Sequence, residues 1–273
     1  MTLQLRWGAR TDRGRVRAIN EDAFVATAPV FVVADGMGGH AAGEVASALT
    51  VDCFRALAGP GSAPAEDVLG ALGEANDRIL EHAASSPTAR GMGTTVTGLV
   101  VVQNGPAEEL LAFNVGDSRL YRIRGEDVAQ VSVDHSAVQE LVDAGLIAPE
   151  QAAVHPDRHI VTQALGSNPP PRPDVWFIAP AAGDRFVLCT DGLSGEVPLQ
   201  ELGRLSREIE DPGETADQLV EAALRAGGRD NVTVLVVDVV EVSGDAGPDE
   251  STAPRASLTA ENPVLPTDLA GNV

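Results

Sequence analysis

A chain of 273 residues that is 44% hydrophobic is long enough to bury a large core, and its 40 acids against 19 basic residues, all arginine, give a formal charge of −21. That charge repels nucleic-acid phosphates, and 3% aromatics leaves few platforms for stacking bases, so nucleic acid is excluded as a partner. The two cysteines, Cys53 and Cys189, are too few for a disulfide framework, and no run approaches the roughly 20 apolar residues of a spanning helix; the expectation is a cytoplasmic protein without a membrane anchor.

In chain order, the segment Arg17 to Asp22 places a guanidinium and two acids within six residues, just ahead of the strand-like run Val30-Phe31-Val32-Val33. A three-glycine turn then leads into a helix from Ala41 to Leu57, and apolar residues at helical spacing mark a second from Ala65 to Ala84. β-Branched runs follow at Thr94 to Val102, Leu110 to Val115 and Leu120 to Ile123, close enough in sequence for antiparallel hairpins. A helix over Ala137 to Ala144, a strand over Phe186 to Cys189, a helix over Thr215 to Ala226 stopped by Gly227-Gly228, and a strand over Val232 to Val240 complete the pattern. Hairpins and paired helices point to α+β layers more than to a wound βαβ sheet. Residues 1–241 show no break in composition and are expected to form one domain. From Val242 the chain turns acidic and Pro/Gly-dotted, and 242–273 is expected to be a disordered tail.

Four times a strand-like run meets an aspartate beside a small or amide residue: Asp35-Gly36, Asp117-Ser118, Asp191-Gly192 and Asp230-Asn231. One such pair reads as a turn. Four, gathered at one edge of a sheet core, would repel one another unless cations sat between them, which points to hard metal ions with oxygen ligands. Arg17, near such a cluster, suits a phosphoryl group, since its planar fork matches two oxygens. The turn through Gly36, Gly38 and Gly39 is not a phosphate-cradling loop of the lysine type, because the chain holds no lysine. Thiolate chemistry is disfavoured too: the arginine expected six positions after the nucleophile is Gly59 after Cys53 and Gly195 after Cys189.

Arg17-x-x-Asn20-Glu21-Asp22, Ala34-Asp35-Gly36-Met37-Gly38-Gly39-His40-Ala41-Ala42-Gly43-Glu44, Met92-Gly93-Thr94-Thr95, Val115-Gly116-Asp117-Ser118-Arg119, Thr190-Asp191-Gly192-Leu193 and Gly228-Arg229-Asp230-Asn231-Val232-Thr233 together resemble, in order, the motif set of the metal-dependent type 2C serine/threonine protein phosphatases in their bacterial form, over residues 8 to 240. The resemblance implies a four-layer α-β-β-α sandwich of two antiparallel sheets flanked by helices, and a centre of two Mn2+ or Mg2+ ions with a weaker third.

Carried over by position, Asp35 would bridge the two metals and the Gly36 carbonyl would bind one. Asp191 and Asp230 would hold the other, Glu21 would act through water, and Asp117 with Asp191 would form the third site. Arg17 would hold the substrate phosphate, His40 would protonate the leaving oxygen, and Asn231 would support metal waters or substrate. Asp22 would orient the ligands rather than bind metal. Two divalent ions about 3.5–4 Å apart make a bridging hydroxide available for in-line attack on phosphorus without a protein nucleophile. Partners would be phosphorylated proteins, serine/threonine kinases included, acted on by a monomer.

Residues from about Ser132 to Gly166 resemble the family's flap, with His159 and Gln163 where the family often has asparagine and arginine. His135, His155 and His159 are read as structural. Two rival readings stand beside the phosphatase: a non-catalytic, metal-stabilised β-sandwich used for interaction, and a glycosidase-like hydrolase, which needs two carboxylates rather than four and no arginine for phosphate.

Overall fold

The computed structural model describes residues 2–38, 42–105 and 107–244. Its elements run β1 (Thr2–Asp12), β2 (Asp22–Thr27), β3 (Val30–Met37), α1 (Ala42–Arg55), α2 (Ala65–Ser85), β4 (Gly93–Thr94), β5 (Val96–Asn104), β6 (Ala107–Val115), β7 (Arg119–Arg124), β8 (Asp127–Gln130), α3 (Ala137–Asp143), α4 (Pro149–Ala152), β9 (Asp174–Ile178), β10 (Arg185–Cys189), α5 (Asp191–Ser194), α6 (Leu199–Glu208), α7 (Pro212–Ala226) and β11 (Val232–Ser243).

Strand side chains alternate between faces, and here both faces are apolar. Phe31 and Val33 of β3, Phe186 and Leu188 of β10, and Leu235 and Val237 of β11 meet in a core between two sheets. Their neighbours Val30 and Val32 turn outward onto α1 and α2, and Val187, Cys189, Val234 and Val236 turn outward onto α5, α6 and α7. Three apolar interfaces therefore stack four layers, the α-β-β-α sandwich that the motifs imply. One sheet has the order β1-β11-β10-β7-β8 and the other β2-β3-β5-β6-β9, with β4 on β3, and the strands pair antiparallel throughout. Between α6 and the sheet, the Arg185 guanidinium grips Asp238 at 2.6 and 2.9 Å and donates to the carbonyls of Ser206, Ile209 and Glu210, so the carbonyls at the end of α6 are satisfied by a buried cation.

The structure corrects one detail of the strand ends. The β3 ladder does not stop at the acid: Asp35 and Gly36 lie within it, and Asp35 stands opposite Asp22. Asp191, which follows the β10 run as expected, opens the one-turn helix α5. At the far end β11 continues to Ser243, two residues past the expected domain boundary. The expected tail from 245 onward lies outside the described residues.

Candidate metal centre

The ends of both sheets meet at one edge of the sandwich. β2 starts there with Asp22, β3 brings Asp35 to the same edge, and the Gly116-Asp117 turn after β6, the start of α5 and the residues before β11 converge on it. The two sheets are joined at Asp22, whose Oδ2 accepts hydrogen bonds from the hydroxyls of Thr190 (2.9 Å) and Thr233 (2.8 Å) across the sandwich. Its other oxygen, Oδ1, is buried without a partner. Asp35 is fixed through its backbone: its N–H donates to Thr95 Oγ1 at 3.1 Å, and its carbonyl accepts from the Thr94 hydroxyl at 2.8 Å and the Thr95 N–H at 2.9 Å. Thr95 also bonds Ser118 at 2.7 Å, beside Asp117, so the Gly93-Thr94-Thr95 motif couples the positions of Asp35 and Asp117. The turn into Asp117 uses Gly116 at φ +107°, where a side chain would be strained and would press on Thr95.

Glu21 lies behind Asp35. Its carbonyl accepts from the Gly36 N–H (3.1 Å) and the Ser47 hydroxyl (2.6 Å), while its Oε1 is buried with no partner. Gly43 at the start of α1 permits this approach, because a Cβ there would stand 2.6 Å from Glu21 Oε1 and 2.7 Å from the Gly36 backbone. Asn231 accepts from the Glu21 N–H and donates to the carbonyls of Arg13 and Ile19 at 2.9 and 2.8 Å. Both amide protons are thus engaged by backbone, and Asn231 braces the segment that carries Arg17 and Glu21. Arg17 stands exposed at the rim and donates to Asp230 Oδ2 at 2.6 Å. His40 lies outside the described residues.

Charge explains why these groups belong together. Burial, opposed by the two threonine hydroxyls, pushes Asp22 up to about 7, with Asp191 and Asp230 adding to the rise. Asp35 is raised well above the usual carboxylate range by burial and then by Asp22, Asp191, Asp117 and Asp230. Asp117 rises to about 7 through burial and Asp191. Asp191 is raised by burial and Asp230, with His159 opposing. Facing carboxylates that protein cations leave uncompensated favour protons or divalent ions. With the orphaned Glu21 Oε1, the carboxylates of Asp35, Asp117, Asp191 and Asp230 make an all-oxygen donor set that fits Mn2+ or Mg2+, and the orphaned Asp22 Oδ1 stands beside it. Among the described residues no three acidic, histidine or cysteine side chains are placed so that they alone could hold a metal ion.

The flap is stitched to the same edge. His135 donates its backbone N–H to the Gly116 carbonyl (2.9 Å), its Nδ1 accepts from the Gly116 N–H (3.2 Å), and its Nε2 lies 3.2 Å from Asp174. The structural role read from the sequence for His135 therefore has a specific content, in that it ties α3 and the flap to the turn that carries Asp117. Thr95, Thr190, Thr233 and His135 were not assigned to the site from sequence. The cysteines stay apart from the chemistry: both are buried, and burial pushes the Cys189 thiol up to about 12.

A sequence profile described as protein phosphatase 2C matches residues 12–226. The serine/threonine protein phosphatase PstP of Mycobacterium tuberculosis is 42% identical over 245 residues, which make up 88% of this chain and 46% of that protein. The chain thus spans about half the length of that relative. The serine/threonine phosphatase stp of Listeria innocua is 35% identical, over 84% of this chain and 94% of its own. The crystal structure of the PstP catalytic domain in complex with two manganese ions superposes with a TM-score of 0.78 at 41% identity, covering 88% of this chain and all of that one.

Proposed function

The chain belongs to the protein phosphatase 2C family, and on that premise we propose that it is a metal-dependent phosphoprotein phosphatase that hydrolyses phosphoserine and phosphothreonine and opposes serine/threonine kinases. The observation that carries this reading is the set of facing carboxylates Asp22, Asp35, Asp117 and Asp191, raised by burial and by one another, with the cationic Arg17 at its rim. A purely structural cation would need no arginine at the opening, which is why the enzyme is preferred to a metal-stabilised interaction module.

We assign two Mn2+ or Mg2+ ions to Glu21, Asp35, Gly36, Asp191 and Asp230, and a weaker third to Asp117 with Asp191. When bound, such ions supply Lewis acidity, drawing charge from phosphoryl oxygens and acidifying water near neutral pH. The protein supplies the rest. Arg17 receives the phosphoryl oxygens, and Asp230, at 2.6 Å from its guanidinium, holds that group at the opening. Thr190 and Thr233 fix the Asp22 carboxylate, Thr94 and Thr95 fix Asp35, and Asn231 fixes the Glu21 backbone. His40 is assigned as the proton donor to the departing serine or threonine oxygen.

No described helix is long and apolar enough to cross a membrane. A cytoplasmic monomer acting in signal transduction on phosphorylated proteins is the setting we propose. The test is phosphate release from phosphoserine and phosphothreonine peptides in Mn2+ or Mg2+ by the parent chain and by Asp35→Asn and Asp191→Asn. Release by the parent and its loss in variants that still melt cooperatively is the expected result. No release by the parent with either metal would favour the interaction module.

A further inference from the structure

The segment between β1 and β2 is anomalous for a chain of net charge −21: residues 13–19 read Arg-Gly-Arg-Val-Arg-Ala-Ile, three cations and no acid. All three arginines are exposed, with Val16 at 69% and Ile19 at 39% exposure between and beside them. Only Arg17 is an assigned site residue. Arg13 and Arg15 form no ion pair among the described residues, whereas Arg10 just before them is paired with Glu221 and Asp217, and Arg229 nearby in the fold with Glu196. The Arg13 guanidinium donates only to the Ala18 carbonyl.

The loop is held rigidly against the metal-site residues. The Gly14 N–H donates to Asp12 Oδ1 (2.8 Å) and the Arg15 N–H to the Gly228 carbonyl (2.7 Å). Asn231 takes the carbonyls of Arg13 and Ile19, and Asn20 donates to Thr11 Oγ1 at 2.8 Å. Gly14 packs on the carbonyl of Asp230, which a Cβ would approach to 2.1 Å. A fixed backbone therefore displays cations and apolar tips at the lip of the site. Such preorganisation lowers the ordering cost of binding, and arginines beside exposed apolar groups are typical of recognition surfaces.

We propose that Arg13, Arg15 and Val16 form a docking strip for the polypeptide flanking the phosphorylated residue, selecting segments with aspartate or glutamate close to it. This rests on the phosphatase reading and adds a substrate class. The selectivity comes from local contrast: the net charge of −21 repels acidic peptides at long range, whereas three cations stand within residues 13–17 at the lip where Arg17 waits.

The experiment measures kcat/KM in Mn2+ for two phosphothreonine peptides of equal length, one flanked by Asp/Glu and one by Asn/Gln, with p-nitrophenyl phosphate as a third substrate. The parent chain is expected to favour the acidic peptide by about three- to tenfold at low salt, as two screened surface contacts allow, and to lose the preference near 0.5 M salt, where screening is about 4–5 Å. Arg15→Gln, alone and with Arg13→Gln, should remove the preference through KM. Arg15→Gln should leave p-nitrophenyl phosphate turnover unchanged, and Arg15→Glu should turn the preference toward the neutral peptide. No preference in the parent, or equal losses on both peptides, would overturn the docking strip while leaving the phosphatase intact. No turnover of any of the three substrates would overturn the phosphatase reading and the docking strip with it.

Discussion

Arg17 is half-exposed and already bonded to a carboxylate, so its value lies in charge and direction rather than in packing. Losing a charge-assisted contact to substrate costs ~1.5–3 kcal/mol. Arg17→Ala should therefore raise KM for phosphorylated peptides about tenfold or more, with the melting temperature nearly unchanged; steady-state kinetics checks this, and an unaltered KM would remove the arginine from the phosphate site. Asp22 behaves differently, because it is bonded to hydroxyls on both β10-side and β11 residues. The acids themselves were legible in sequence because each lies in a short motif. Their supports were legible only as motif members: Thr190 and Thr233 stand in the same motifs, but that they reach Asp22 across 168 and 211 residues follows from how the two sheets meet. His135 was visible as a residue, yet its bond to Gly116 follows from the flap folding back onto β6, which spacing alone does not reveal.

At the scale of elements, α1 contrasts with α2. Ala is the better helix former by about 0.8–1 kcal/mol, so Gly→Ala in an open helical position stabilises. Gly70 and Gly73 in α2 have nothing within 4 Å of a built Cβ, and each substitution to Ala should raise the melting temperature. Gly43→Ala in α1 should do the reverse, since the new methyl meets Glu21 Oε1 and the Gly36 backbone. Overpacking of this kind costs about 1–3 kcal/mol, a fall of about 2–4 °C per kcal/mol at this size, and moving Glu21 should weaken Mn2+ binding as well. Calorimetric melting with and without Mn2+ separates the three variants. The same scale shows why some strands were read and others not. The six apolar runs found in sequence are the interior strands β3, β5, β6, β7, β10 and β11, with β4 absorbed into the run of β5. The four missed strands, β1, β2, β8 and β9, are the sheet edges. An interior strand covered on both faces reads as continuous apolar sequence, while the edge strand β1 alternates, with Leu3, Leu5 and Trp7 set between Thr2, Gln4 and Arg6; the edge strand β9 is apolar over Val175–Ile178 but short.

For the whole molecule, the carboxylate cluster links stability to pH and metal. Asp22 and Asp117 have pKa values of about 7 in the folded chain and ordinary ones when unfolded, so the folded state binds protons more tightly. The resulting stability is present below the unfolded pKa of about 3.9 and is lost as pH rises through the folded values. In chelator, the melting temperature should fall between pH 5 and 8, and Asp22→Asn with Asp117→Asn should flatten the fall. Divalent ions take the place of those protons, so the rise in melting temperature on adding Mn2+ should grow over the same window. A rise independent of pH would separate the ions from these acids. The overall charge and the strand-end aspartates were legible in the sequence, but the addition of Asp22 to the cluster is a product of topology, since β2 pairs with β3 and sets Asp22 opposite Asp35.

The central claim is that these acids exist to hold ions for phosphoryl transfer. Its most direct test is phosphate release from a phosphothreonine peptide by the chelator-treated chain, before and after Mn2+ is restored. Release should fall to background in chelator and return with added Mn2+. Turnover that persists unchanged after thorough chelation would contradict the claim.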